Sequence, residues 1–191
     1  MRGYDFRLGI AVLLLGTVVG CGGREKTPDF PSLLRDLRSE NPAVRGPAGI
    51  ELIAMGEKAA PAVAELLKDP DPRVRHMGAM TLQSMGERSK PAQAALIEAL
   101  GDTSAEVRTS AATALQAYGA DAAPAVPALM KALKDPESIV RLEAVRALGT
   151  IGAAAEPAIP LLTSVSRVEF LRQAADESLK KIQAGIARKG Y

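Results

Sequence analysis

The chain has 191 residues, 47% hydrophobic but only 3% aromatic, with no Trp and a formal net charge of +2. That length allows one domain plus a targeting segment, and so few rings exclude a deep aromatic-lined pocket while suiting closely packed helices of Ala, Leu, Val and Ile. Without residues 1–20, which carry Arg2, Arg7 and Asp5, 22 basic residues face 21 acidic ones, so the remainder lacks the electrostatic footprint of a nucleic-acid binder. Cys21 is the single cysteine, which excludes an internal disulfide framework and a cysteine-rich metal site.

Arg2 and Arg7 precede an apolar run, Leu8 to Val19, that ends in Val18-Val19-Gly20-Cys21. Its 12 residues would rise roughly 18 Å as a helix, too little for a bilayer core of about 30 Å. A basic start, a short apolar stretch and small residues at its end describe a secretory signal over residues 1–20. The last four residues resemble the lipobox of bacterial lipoproteins, which implies cleavage after Gly20 and a diacylglycerol on Cys21. Ordinary cleavage leaving a free thiol is the alternative, because Val18 and Gly20 would serve it too. Several acyl chains make a nearly permanent anchor. Residues 21–27 then form the acylated Cys and a tether whose six residues, Gly22 to Thr27, reach at most about 20 Å. The expectation is a lipid-anchored protein of the bacterial cell envelope riding close to its membrane. Gly22 stands where enteric lipoproteins retained at the inner membrane carry Asp, so the resemblance favours the outer membrane, on its periplasmic side in a diderm cell.

One pattern recurs five times between residues 28 and 184. Counted from Arg45, Arg75, Arg108, Arg141 and Arg172, which are 30, 33, 33 and 31 residues apart, the preceding residue is Val or, in the last copy, Leu. At +3 stand Ala48, Gly78, Ala111, Ala144 and Ala175, and at +7 Leu52, Leu82, Leu115, Leu148 and Leu179. Met55, Met85, Tyr118, Ile151 and Ile182 follow at +10. Offsets of −1, +3, +7 and +10 trace one helical face. Gly56, Gly86, Gly119 and Gly152 at +11 supply a left-handed residue to close that helix. Pro61, Pro91, Pro124 and Pro157 at +16 then open the next one. A shorter helix fills each remaining gap, and Asp71, Ser104 and Asp135 cap the turns between. The spacing predicts ten helices, at 29–39, 43–55, 61–68, 72–85, 91–101, 105–118, 125–134, 137–151, 158–165 and 168–184. Residues 185–191 are left as a tail. Two helices per period make an all-α fold, an α-solenoid of about five stacked repeats.

These residues resemble HEAT repeats, in the short bacterial form also seen in phycobilisome lyase-type proteins, over residues 28–184. Two copies depart from the pattern. The first holds Gly46-Pro47 inside its second helix, where Pro removes a hydrogen bond and kinks the backbone. The fifth has Gln183 for the +11 Gly and carries Asp176, Glu177, Lys180 and Lys181, as suits an end repeat with a polar outer face. The resemblance implies that the repeated Arg45, Arg75, Arg108, Arg141 and Arg172 form a structural ladder with Asp69, Asp102 and Asp135, tying repeat to repeat, rather than an anion site. It also implies that the second helices line the inner curve.

Positions +1, +5 and +8 of those helices point off the core stripe and make the candidate partner-binding strip. They include His76, Met80, Gln83, Thr109, Thr113, Gln116, Leu142, Arg146, Gly149 and Lys180. The strip is uncharged in its middle and basic only toward one end, and without Trp or Tyr, the usual hot-spot residues, it suits modest affinity. Catalytic and metal chemistry find no foothold. His76 is the only His and has no Cys or acidic cluster at hand. No Ser or Cys has a His placed by motif to activate it, and no phosphate-binding loop appears. The expectation is a protein-binding scaffold with no cofactor, no small-molecule substrate and no enzymatic role. A HEAT-type enzyme or enzyme accessory of the chromophore lyase kind and a passive envelope spacer are the rival readings.

Overall fold

The structure, a computed structural model, describes residues 29–189, so the signal segment, Cys21 and the tether lie outside the described residues. Ten α-helices follow one another in pairs, with no strand among the described residues. They are α1 (Phe30–Leu37), α2 (Pro42–Met55), α3 (Ala60–Ala64), α4 (Pro72–Met85), α5 (Gln93–Ala99), α6 (Ala105–Gln116), α7 (Val126–Ala132), α8 (Ser138–Ile151), α9 (Ile159–Val165) and α10 (Glu169–Lys189). The even-numbered helices pack side by side in chain order from α2 to α10, and each is backed by the first helix of its own pair. The result is an all-α solenoid of five stacked repeats.

Periodicity explains the stacking. Leu52, Leu82, Leu115 and Leu148 at +7 are fully buried in one continuous core that runs from Leu33 to Ile182. Small residues at +3 let neighbouring helices approach. A Cβ added to Gly78 would lie 2.9 Å from the Cβ of Leu66, closer than side-chain carbons pack. In the last repeat the +7 residue, Leu179, is only half-buried, while Leu171, Ala175, Ser178 and Ile182 turn inward. Among the described residues no helix stacks beyond α10 to cover Leu179. Ser178 instead donates to the Val145 carbonyl at 2.9 Å and presses on Gly149, which is buried rather than part of an open strip.

The helix ends differ from the sequence expectation in three ways. Gly56, Gly86 and Gly152 do close α2, α4 and α8 with positive φ, whereas α6 ends at Gln116, before the positive-φ Gly119, and ψ at Gly56, Gly86 and Gly152 is −131°, −133° and −134°. That is the mirror-β region rather than the left-handed helical one, equally a glycine preserve. The chain continues at once into 3-10 turns over Gly86–Ala92, Gly119–Ala125 and Gly152–Ala158. Pro91, Pro124 and Pro157 therefore sit inside those turns, and of the four +16 prolines only Pro61 opens an α-helix. Pro47 is accommodated within an unbroken α2. Finally, α10 continues to Lys189, five residues past Ala184; Gln183, replacing the +11 Gly, offers no positive-φ stop.

Candidate functional site

Charge at the loop end of the solenoid is organised in rungs. Arg75 donates from Nε and Nη2 to the two carboxylate oxygens of Asp102 in the next repeat, at 2.6 and 2.9 Å. Arg108 does the same to Asp135 at 2.7 and 2.8 Å. Each arginine turns Nη1 back to two carbonyls of its own loop, those of Asp69 and Pro70 for Arg75 and of Asp102 and Thr103 for Arg108. Burial pushes the carboxyls of Asp102 and Asp135 up, but the guanidinium hydrogen bonds and the N–H groups of Ser104 and Glu137 outweigh it. Both carboxyls end below their ordinary range. The partners Arg75 and Arg108 are raised by the same bonds. These paired, mostly buried forks hold repeats together.

The other three arginines are arranged differently. Asp69 accepts from Arg38 at 3.0 Å, not from Arg45. Only 24 residues separate Arg45 from Asp69, against 27 from Arg75 to Asp102. The missing three, nearly one helical turn, are lost where α3 is short. Arg141 keeps the carbonyl contacts, to Asp135 and Pro136 at 2.7 and 2.9 Å, but Val168 occupies the position 27 residues on. Arg172 pairs within its own helix with Glu169.

The strip on the second helices divides in two. Met80 is 43% exposed, Gln83 and Lys180 are exposed, and His76, Thr109 and Thr113 are half-buried. The hydroxyls of Thr109 and Thr113 are turned back onto the Ala105 and Thr109 carbonyls at 2.8 and 3.0 Å. Gln116 and Arg146, by contrast, are not bystanders. Gln116 Nε2 donates to Glu143 Oε2 at 2.6 Å and Arg146 Nη1 to Glu143 Oε1 at 2.8 Å. Glu143 is a buried carboxylate at +2, a position that faces the preceding repeat, and sequence reasoning passed over it because the other copies place Pro47, Met77, Ser110 and Ala174 there. Leu142 is half-buried beside this network. A shallow cleft of about 440 Å³ between α6, α8 and α10 is lined by Gln116, Leu142, Arg146, Phe170 and Lys181.

With that geometry in place, the profile for HEAT repeats matches residues 30–116 and again 93–180. The chain belongs to the HEAT-repeat family. No curated protein sequence is significantly similar to it, while solved structures share the HEAT solenoid. The complex of CpcE and CpcF of phycocyanin lyase from a Nostoc species is 20% identical, with a TM-score of 0.66 over 78% of this chain and 96% of that one. An engineered protein is 23% identical with a TM-score of 0.63, covering 82% of this chain and 80% of its own. A designed armadillo repeat protein in complex with the peptide (KR)4 is 17% identical, with a TM-score of 0.61 over 85% and 88%. At these identities the likeness is one of fold.

Within this HEAT solenoid, His76 lies at the seam of two clefts, one with Arg45 and Arg73 and one with Ser104 and Glu106. Its Nδ1 is 3.5 Å from the Ser110 hydroxyl. Among the described residues no group of three or more His, Cys, Asp or Glu side chains is placed to hold a metal ion. On the first-helix side, a groove of about 590 Å³ runs between α7 and α9 over Val126, Pro127, Met130 and Leu161, edged by Lys131 and Lys134.

Proposed function

We propose that the protein is a lipid-anchored, extracytoplasmic scaffold that binds a protein partner along its second-helix layer and catalyses no reaction. The observation that carries this reading is the strip itself. Met80, Gln83 and Thr113 stand on adjacent helices α4 and α6, off the buried stripe, with no side-chain partner that packing requires. Neighbouring helices lie roughly 8–10 Å apart, so these side chains form one surface rather than scattered points. The HEAT and armadillo-like architecture supports a scaffold, as does the designed armadillo neighbour, which was solved in complex with the peptide (KR)4. The Val18-Val19-Gly20-Cys21 stretch supports the anchor, and Arg2, Arg7 and the short apolar run support export.

The test is partner recovery from membranes. Met80→Glu, Gln83→Glu and Thr113→Glu should each change the unfolding free energy by no more than about 0.5 kcal/mol and together remove the partner. Lys68→Glu and Lys131→Glu on the first helices should leave recovery intact. Recovery that survives the first set and fails with the second would place the binding face on the other layer. Gln116 and Arg146 are left out of the set, because a carboxylate beside buried Glu143 would unfold the very surface under test.

A further inference from the structure

We propose that Arg45 is a carboxylate-binding subsite, which receives an Asp or Glu side chain of the bound partner at the amino-terminal end of the strip. The inference rests on the protein-binding reading above and deepens it. Arg45 is held as the ladder arginines are: Nη1 donates to the Ser39 and Glu40 carbonyls at 3.0 and 3.3 Å, as Nη1 of Arg75 does to Asp69 and Pro70. In Arg75 and Arg108 this hold presents the Nε–Nη2 edge to a carboxylate. In Arg45 that edge has no acceptor among the described residues. The equivalent acid, Asp69, is occupied by Arg38, and the nearby Asp71 and Glu40 are both taken by Arg73.

Arg45 lines a cleft of about 320 Å³ between α1, α2 and α4, together with Leu37, Arg73, Val74, His76 and Met77 among others. Three guanidiniums on its wall, those of Arg38, Arg45 and Arg73, face two carboxylates, Glu40 and Asp71. Of these three guanidiniums, Arg45 is the one with no ion pair to a described residue. Leu37, Val74 and Met77 give the cleft an apolar floor, and His76 joins it to Met80 one turn along α4, so a peptide on the strip reaches it without crossing a helix. A guanidinium fork with its geometry already set loses little freedom on pairing and matches a carboxylate in two hydrogen bonds.

The experiment follows the arginine Nε–Hε signals of the 15N-labelled full chain in neutral detergent. The probes are acetyl-Ala-Leu-Asp-Leu-Ala-amide, its Asn twin and its phosphoserine twin. The Asp peptide should shift the Arg45 signal saturably and bind about tenfold more tightly than the Asn peptide. Arg45→Lys, which keeps the charge and loses the fork, should erase most of that preference, and Lys131→Gln, which removes a positive charge on α7, should not. Equal affinities for the Asp and Asn peptides, or no shift at Arg45, overturns the proposal; so does a preference confined to the phosphoserine peptide, which would mark another class of anion. If the strip substitutions abolish partner recovery while Asp and Asn peptides are indistinguishable, the subsite alone falls. If the Asp peptide binds at Arg45 and those substitutions leave recovery untouched, the scaffold reading falls and the subsite stands.

Discussion

Truncating the +7 leucines separates a stacked array from a chain of independent helix pairs. Leu115 and Leu148 are fully buried in the two central repeats, each with a second helix on either side. Leucine to alanine removes roughly three methylene equivalents at about 0.8 kcal/mol each, or about 2.4 kcal/mol of transfer free energy. The cavity adds about 24 cal/mol per Å³ that the neighbours fail to fill. Neighbours fixed on both sides relax little, so each change should cost about 3–5 kcal/mol and lower the melting temperature by about 10 °C in a domain of this size. Leu179 is half-buried on the last helix, with stacking on one side only. There the same change should cost about 1 kcal/mol. The assay is urea unfolding of Leu115→Ala, Leu148→Ala and Leu179→Ala followed by circular dichroism. Equal losses at all three sites would refute the stacking argument.

Three further outcomes follow from particular contacts. The carboxyls of Asp102 and Asp135 are lowered in the folded state, so their contribution is present above the unfolded value of about 4 and is lost as pH falls through the folded values. Thermal melts between pH 5 and 3 should show a melting temperature that drops with acid, and a shallower slope in an Asp102→Asn, Asp135→Asn double variant. Gly149→Ala would drive a methyl into the Cβ and Cα of Ser178, 2.8 and 2.9 Å away; it should cost about 1–3 kcal/mol as overpacking does, with Ser178→Gly restoring part of it in a double-mutant cycle. Cys21→Ser should abolish fatty-acid labelling and leave the precursor uncleaved or release a soluble product, read by labelling and detergent partitioning; a wild-type protein that takes up no label would remove the anchor.

How much of this was legible in the residues depends on how local the cause was. Leu52, Leu82, Leu115 and Leu148 recur at a helical offset from a repeated Arg, so the solenoid and its core follow from the spacing alone. The ends were less legible. Proline at +16 serves a 3-10 turn as well as a helix start, so Pro91, Pro124 and Pro157 could not place the first α-helical residue. The missing stop in the fifth repeat was visible as Gln183, but how far α10 runs was not. Pairings across repeats were harder still. The interval from Arg45 to Asp69 is 24 residues rather than 27, but nothing in that spacing says that Arg38 reaches into the rung. Glu143 was illegible for a different reason. A carboxylate at a position otherwise apolar or small reads as solvated until Gln116 and Arg146 are seen to hold it. That network turns two strip candidates into supports for the strip and leaves Met80 and Gln83 exposed in its middle, beside half-buried Thr113.

The most direct measurement is photocrosslinking in the native cell, with a photoreactive amino acid placed at Met80, Gln83 or Thr113 and, separately, at Lys68 or Lys131. A scaffold that binds through its second-helix layer yields the same crosslinked protein from all three strip positions and none from the two lysine positions. Crosslinks arising from Lys68 and Lys131 alone, or equally from both layers, would contradict it.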